Sequence, residues 1–346
     1  MQAKELTAFL APWLEGFLAE HPFVIGAYLA GSCAELGPED DLASCSDIDV
    51  MLVIEGGARP KPGKLPDRGM VIEGTYIPWE QISDPEHALA DYHIAHALHL
   101  GRILFDGDGR LHALCSAVAA EFSKPERILQ RIDGVIRKIE AGLDAFDPAW
   151  PLFRRCTSLL FGSGIMAHAV LVAAQKNPTV RMRYRAAHSV LKNLPGAQEF
   201  LLDAAGFGAV SPDEARQSVC KMAELFDCMA PLCKTAFPFT SDLQREMRPT
   251  AVDDALSLID SGLHRESLFW TFATFSRLMQ QACADAPELY ARWEAPFARQ
   301  MRLVLPEDPN GQLERVRSIR AALPRLRALC GELLHLQAFP SDQAPI

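Results

Sequence analysis

The sequence predicts an α+β protein: a small domain of mixed strands and helices, followed by a larger all-α helical-bundle domain. Up to about residue 122, short apolar runs of strand length alternate with stretches of helical periodicity. Beyond it, residues 125–146, 152–175, 180–193, 213–235, 252–283, 288–303 and 312–335 repeat their apolar positions at three and four, and nothing alternates as a strand should. Breakers such as "DPAWP", "KNPT", "LPG" and "PEDPNG" separate these segments. The expected organisation is residues 1–122, residues 123–338 and a disordered tail at 339–346.

The elements follow in order. In "MQAKELTAFLAPWLEGFLAEHP", Leu6, Phe9, Leu10, Trp13, Leu14, Phe17 and Leu18 form one helical face, which Pro12 is positioned to kink. The segment lacks the basic start and cleavage site of a signal peptide, so no export is expected. "FVIGAYLAG" (Phe23–Gly31) reads as a buried strand and "SDIDVMLVIEGG" (Ser46–Gly57) as a second, closed by glycines. "ARPKPGKLPDRG" (Ala58–Gly69) is rich enough in Pro and Gly to be read as a loop. "MVIEGTYIP" (Met70–Pro78) is a third strand, Pro85–Leu100 a helix with proline at its start, Gly101–Gly109 a short fourth strand and Leu111–Phe122 another helix.

Composition bounds the partners. The chain is 49% hydrophobic, enough for two cores, and no apolar run is read as long enough to cross a membrane. The net charge of −10 is uneven: residues 1–122 hold 7 Lys/Arg against 19 Asp/Glu, and the remainder 27 against 25. An acidic first domain is ill-suited to a phosphate backbone, so no stable nucleic-acid binding is expected, nor any membrane partner. It suits metal ions and cationic small molecules. The nine cysteines are odd in number and form no C-x-x-C pair, which fits free thiols in a reducing cytoplasm.

The chemistry concentrates in "LAGSCAELGPEDDLASCSDIDVML". Side chains alternate along a strand, so Asp47, Asp49, Met51 and Val53 share one face, while Ile48, Val50, Leu52 and Ile54 form an apolar one. Two carboxylates about 7 Å apart along a strand can share divalent cations, and oxygen-only ligands favour Mg²⁺ or Mn²⁺ over zinc. Gly31 and Ser32 follow the first strand where a helix should begin, a turn whose free N–H groups suit a phosphate. Taken alone, Gly-Ser is also an ordinary strand-to-helix turn. Glu73 stands among Val71, Ile72 and Tyr76; from a neighbouring strand it can complete a carboxylate triad, or it can be an edge glutamate reaching water.

Taken together, strand, Gly-Ser, helix, strand with Asp-x-Asp, and strand with a lone acid resemble the nucleotidyltransferase superfamily related to DNA polymerase beta. The spacer from Ser32 to Asp47 is long for that pattern, and "SDIDVML" is close to its ideal form. The resemblance covers about residues 22–122 and implies a mixed-sheet nucleotidyltransferase fold. It also implies transfer of a nucleoside monophosphate, here AMP from ATP with Mg²⁺ or Mn²⁺, to a hydroxyl, releasing pyrophosphate. Asp47 and Asp49 match the metal-binding positions and Gly31 with Ser32 the phosphate turn. Glu73 matches a third acid that serves as ligand or as base, and the base role is favoured. The added helical domain resembles the antibiotic nucleotidyltransferases acting on aminoglycosides or lincosamides. In that group the helical part contributes basic residues to the triphosphate.

Several basic groups are candidates for that task. In "TVRMRYRAAHSVLK", Arg181, Arg185, His188 and Lys192 lie beside an apolar stripe of Val180, Tyr184, Ala187 and Leu191; a solvated basic face is the commoner reading of such a stripe. Lys61 and Lys64, in the Pro/Gly segment, form a second pair. His93, His96 and His99 recur at three but lack a partner acid at metal-site spacing. The expected partners are therefore a nucleoside triphosphate and a small hydroxylated, cationic acceptor. The alternatives are nucleotidylation of a protein or RNA, as in toxin–antitoxin pairs, and a non-catalytic nucleotide-binding module.

Overall fold

The computed structural model describes residues 1–42 and 47–338. Cys45, the Ser46 start of the second strand and the tail from Phe339 onward lie outside the described residues. The chain is α+β: a five-stranded mixed sheet in its N-terminal part, then helices. It divides into two compact units, one of Met1–Gly134 with Gln175–Thr179, the other of Val135–Ala174 with the chain from Val180 onward. The division falls within a helix at 134/135, later than the expected boundary at 122.

In the first unit, helix α1 (Leu6–Glu20) precedes strand β1 (Val24–Leu29), the short helix α2 (Gly31–Glu35) and strand β2 (Asp47–Ile54). Strands β3 (Gly63–Asp67) and β4 (Met70–Pro78) follow, then helices α3 (Trp79–Ile82), α4 (Pro85–Ala90) and α5 (Tyr92–Leu100). Strand β5 (Ile103–Asp106) and helix α6 (Arg110–Glu121) complete the sheet and its cover. The strand order is β3-β4-β2-β1-β5, with β2 and β4 parallel and every other pair antiparallel. On one face Leu6, Leu10 and Leu14 of α1 pack over Ile48, Val50, Leu52 and Ile54. On the other, Val53 and Met51 meet Ile82, Leu89, Leu98 and Leu111. The greasy face of β2 is thus sealed by α1, and the acidic end of its opposite face is left for Asp47 and Asp49.

Two elements correct the sequence reading. Ala58–Gly69 is not all loop: Gly63–Asp67 is an edge strand, antiparallel to β4. Pro66 is tolerated there because an edge strand needs hydrogen bonds on one side only. The helix expected over Pro85–Leu100 breaks at Asp91, whose extended backbone lets its carboxylate accept from the N–H groups of His93 and Ile94 and start α5 afresh.

The helices after α6 are α7 (Pro125–Asp144), α8 (Leu152–Gly164), α9 (Met166–Ala173), α10 (Arg183–Leu191), α11 (Ala197–Ala205) and α12 (Pro212–Met229). Then come α13 (Asp254–Asp260), α14 (Leu268–Asp285), α15 (Pro287–Met301) and α16 (Pro309–Ala338). Helix α11 is missing from the sequence reading; it is one short run between two glycines with positive φ, Gly196 at 74° and Gly206 at 84°. The segment read as 252–283 is two helices, α13 and α14. Contrary to the sequence reading, Leu152–Ala173 is long and apolar enough to cross a membrane by length and composition; 78% of its most apolar window is buried inside the protein, and its helix is interrupted at Ile165. Its apolar surface is therefore committed to the helical core.

Candidate metal and phosphate site

Strand pairing assembles the site. The parallel register sets Asp49 opposite Glu73, and the antiparallel register of the edge strand sets Lys64 opposite Glu73 on its other side. Lys64, Glu73 and Asp49 therefore form one row across β3, β4 and β2, with Asp47 two residues along on the same face of β2. Oxygens of Asp47, Asp49 and Glu73 all lie within 4.8 Å of one another, and this is the single cluster of potential metal ligands among the described residues. The two aspartates converge more closely than the strand repeat alone requires, because their side chains lean toward the same point.

Gly31 closes the site from the side of β1. The Ala30 N–H donates to the Asp49 carbonyl at 2.9 Å, which fixes the start of α2 against β2. Gly31 adopts φ +62°, and a Cβ there would come within 2.9 Å of the Asp49 Cγ. Both the backbone angle and the close approach to the carboxylate require glycine. Ser32 follows it, exposed on α2, and the buried Cys33 Sγ donates to the Asp47 carbonyl at 3.4 Å. Burial, then Asp49 and Asp47, pushes the Cys33 thiol up to about 12, so it is a packing group and not a nucleophile.

The electrostatics are those of crowded acids answered by two lysines. Burial, then the charges of Asp47 and Glu73, raises Asp49 to about 7. Burial acts in the same direction on Glu73, but Lys64 and Lys61 outweigh it and hold Glu73 down at about 2. The Lys64 ammonium bridges Asp47 and Glu73, donating to Glu73 Oε2 at 2.6 Å, while Lys61 donates to Glu73 Oε1 at 2.6 Å. The Lys64 side chain is 9% exposed. Both lysines are candidates in the sequence, within a segment expected to be a loop; their contact with the acids follows from the edge strand.

The other candidates belong to the second unit or are engaged elsewhere. Arg181, Arg185 and Lys192 belong to the second unit. Arg181 precedes α10 and pairs with Asp254, His188 meets Glu266 at 3.1 Å, and Arg185 and Lys192 are exposed. The expected stripes are therefore divided: Tyr184, Ala187 and Leu191 are buried as predicted, but Val180 precedes α10 and is exposed, and two of the four basic residues are paired within the helical unit.

The acidic spacer after α2 also finds partners. Asp40 and Pro38 carbonyls accept from the N–H groups of Ala3 and Lys4, so the spacer pins the start of the chain. Glu35 at the end of α2 accepts from the Asn177 N–H at 3.2 Å and lies 3.1 Å from the His96 ring, contacts that no sequence pattern announces.

The histidine triplet does not converge on a metal. His96 faces Glu35, and His99 stacks on Phe122 with ring centroids 4.0 Å apart. Burial first, then His96 and Arg131, lowers the His99 pKa from 6.5. The unfolded chain thus binds a proton that the folded one refuses, and this stability is lost as pH falls below 6.5. His99→Phe preserves the stack and removes the titration, so its melting temperature is expected to fall less than that of the wild type between about pH 7 and about pH 5. An unchanged slope in thermal melts would remove His99 from the acid response.

Comparison with protein-family profiles, curated proteins and solved structures gives no match to this chain.

Proposed function

We propose that the chain is a divalent-cation-dependent nucleotidyltransferase of the DNA polymerase beta-like superfamily, with its catalytic fold in the first unit. It would move AMP from ATP to a hydroxyl of a small cationic acceptor of the aminoglycoside type and release pyrophosphate. One observation carries this reading: three carboxylates from two adjacent parallel strands converge within 4.8 Å beside a glycine turn that only glycine can make. A cytoplasmic setting accords with the free thiols.

The donor set is oxygen-only and would fit Mg²⁺ or Mn²⁺, which Asp47 and Asp49 would hold, with Glu73 as a further potential ligand. When bound, the cation supplies charge stabilisation to the oxygens that gain negative charge during transfer. Asp49, pressed between two other carboxylates, gains most from a nearby positive charge. Glu73 is the acid that the resemblance favours as base for the acceptor hydroxyl, a role that requires the lysines to withdraw from its two oxygens, since they hold its pKa down at about 2. The Gly31-Ser32 turn offers N–H and hydroxyl donors to phosphate oxygens, and the lysine pair offers positive charge.

A second reading is a non-catalytic nucleotide-binding module. It is favoured by the lysines, which already satisfy Glu73 on both oxygens, as they would in a purely structural ion-pair cluster. Incubation with labelled ATP, GTP, CTP or UTP, Mg²⁺ and pools of hydroxylated amines, RNA or lysate protein separates these cases. Pyrophosphate release with label on a small amine is the expected result. Label on protein or RNA would reassign the acceptor, and nucleotide binding without turnover would favour the module.

A further inference from the structure

We propose that Lys64 is an exchangeable counter-ion: it holds the acid cluster when no cation is bound and turns to the polyphosphate when cation and nucleotide arrive. This rests on the metal-site reading above and adds a coupling between the two ligands. The Lys64 ammonium bridges Asp47 and Glu73, two of the three groups that would ligate the cation. It therefore takes the role of the cation there, as a single positive charge shared by two carboxylates. A dication on the same oxygens would stand beside the ammonium, and that repulsion at a mostly buried site is large. The two charges exclude each other.

The geometry leaves the lysine a way out. Lys64 projects from β3, an outer strand of the sheet, and carries its charge on a flexible four-carbon stem. Lys61 lies three residues earlier, between Pro60 and Pro62, with a side chain 32% exposed, and it shares Glu73. Displaced together, the two ammonium groups become the counter-charge that a triphosphate needs, supplied from within the acidic unit itself. The expected consequence is cooperative binding: weak cation affinity alone, and affinity that rises once a polyphosphate receives the lysines.

The test measures binding and exposure. Mn²⁺ titrated by electron paramagnetic resonance, without nucleotide, should bind Lys64→Met at least about tenfold more tightly than wild type, since an adjacent repelling charge is gone. Lys64→Arg, which keeps the charge, should stay weak and guards against a packing effect of methionine. In mass-spectrometric acylation footprinting of the wild type, Lys64 should label faster with Mn²⁺ and slower again when tripolyphosphate is added in the presence of saturating Mn²⁺. Mn²⁺ binding with equal affinity for wild type and Lys64→Met, or labelling indifferent to Mn²⁺, would overturn the exchange while leaving the metal site standing. No Mn²⁺ binding in any variant would overturn both, and Asp47→Asn marks that baseline. If Lys64→Met fails to fold by circular dichroism, the wild-type footprint alone decides.

Discussion

Asp49→Asn is expected to abolish the proposed nucleotidyl transfer and, without divalent cation, to raise the melting temperature. The first effect should be on the order of a thousandfold or more, the scale of removing a main electrostatic group from an active site. The second follows from repulsion. Asp49 is crowded by Asp47 and Glu73, so its ionised form is disfavoured in the fold, with a pKa raised by burial and then by those charges from 3.8 to about 7. Between those values the folded chain keeps a proton that the unfolded chain has released, so stability falls as pH rises through that window. Asparagine keeps the shape without the charge. Its advantage should be small near pH 4, develop up to about pH 7 and then level off, at roughly 1–3 kcal/mol after allowance for partial solvation and the nearby lysines. Parallel activity assays and thermal melts across pH check both halves. Transfer that survives the substitution would remove Asp49 from the metal site, and a lowered melting temperature would show that the lysines outweigh the repulsion.

Gly31→Ala is expected to damage both the fold of the turn and the site. An L-residue at φ +62° costs roughly 1 kcal/mol, and the new methyl must also displace the Asp49 carboxylate or move α2 away from β2. Together these predict a loss of about 1–3 kcal/mol in stability. A carboxylate shifted by about an ångström predicts a loss of about a hundredfold in transfer. Gly16→Ala is the matched control. Gly16 lies in α1 with nothing within 4 Å of its added Cβ, and alanine there should be neutral or stabilising by about 0.5–1 kcal/mol. Denaturant melts and Mn²⁺ binding on both variants separate turn strain from carboxylate displacement. Wild-type behaviour of Gly31→Ala would mean that the turn relaxes freely and has no part in holding Asp49.

Much of the first unit was legible because its signals are local. The alternation in "DIDVMLVI" places Asp47 and Asp49 on one face whatever the strand pairs with, and the apolar stripe of the first helix supplies the cover for the other face. The small-residue turn at Gly31 and Ser32 falls where β1 ends and α2 begins. Helical periodicity located most of the second unit, and failed where a helix is short, as at Ala197–Ala205, or where one apolar run is divided by a loop, as between Asp260 and Leu268.

What the sequence determined by itself is the chemistry of the candidate site: two aspartates in register, a glycine turn and a third acid amid apolar residues. Its geometry is a tertiary result. Glu73 stands beside Asp49 only because β2 and β4 pair in parallel with that register, and a shift of one residue would turn it to the opposite face. The place of Lys64 is more hidden still. Its segment carries prolines that argue locally against a strand, and it becomes one because the open edge of β4 offers hydrogen-bonding partners. Sheet order and register arise from contacts between residues distant in the chain, so local propensity cannot carry them. The charges that answer the acids are therefore found only when the sheet is assembled.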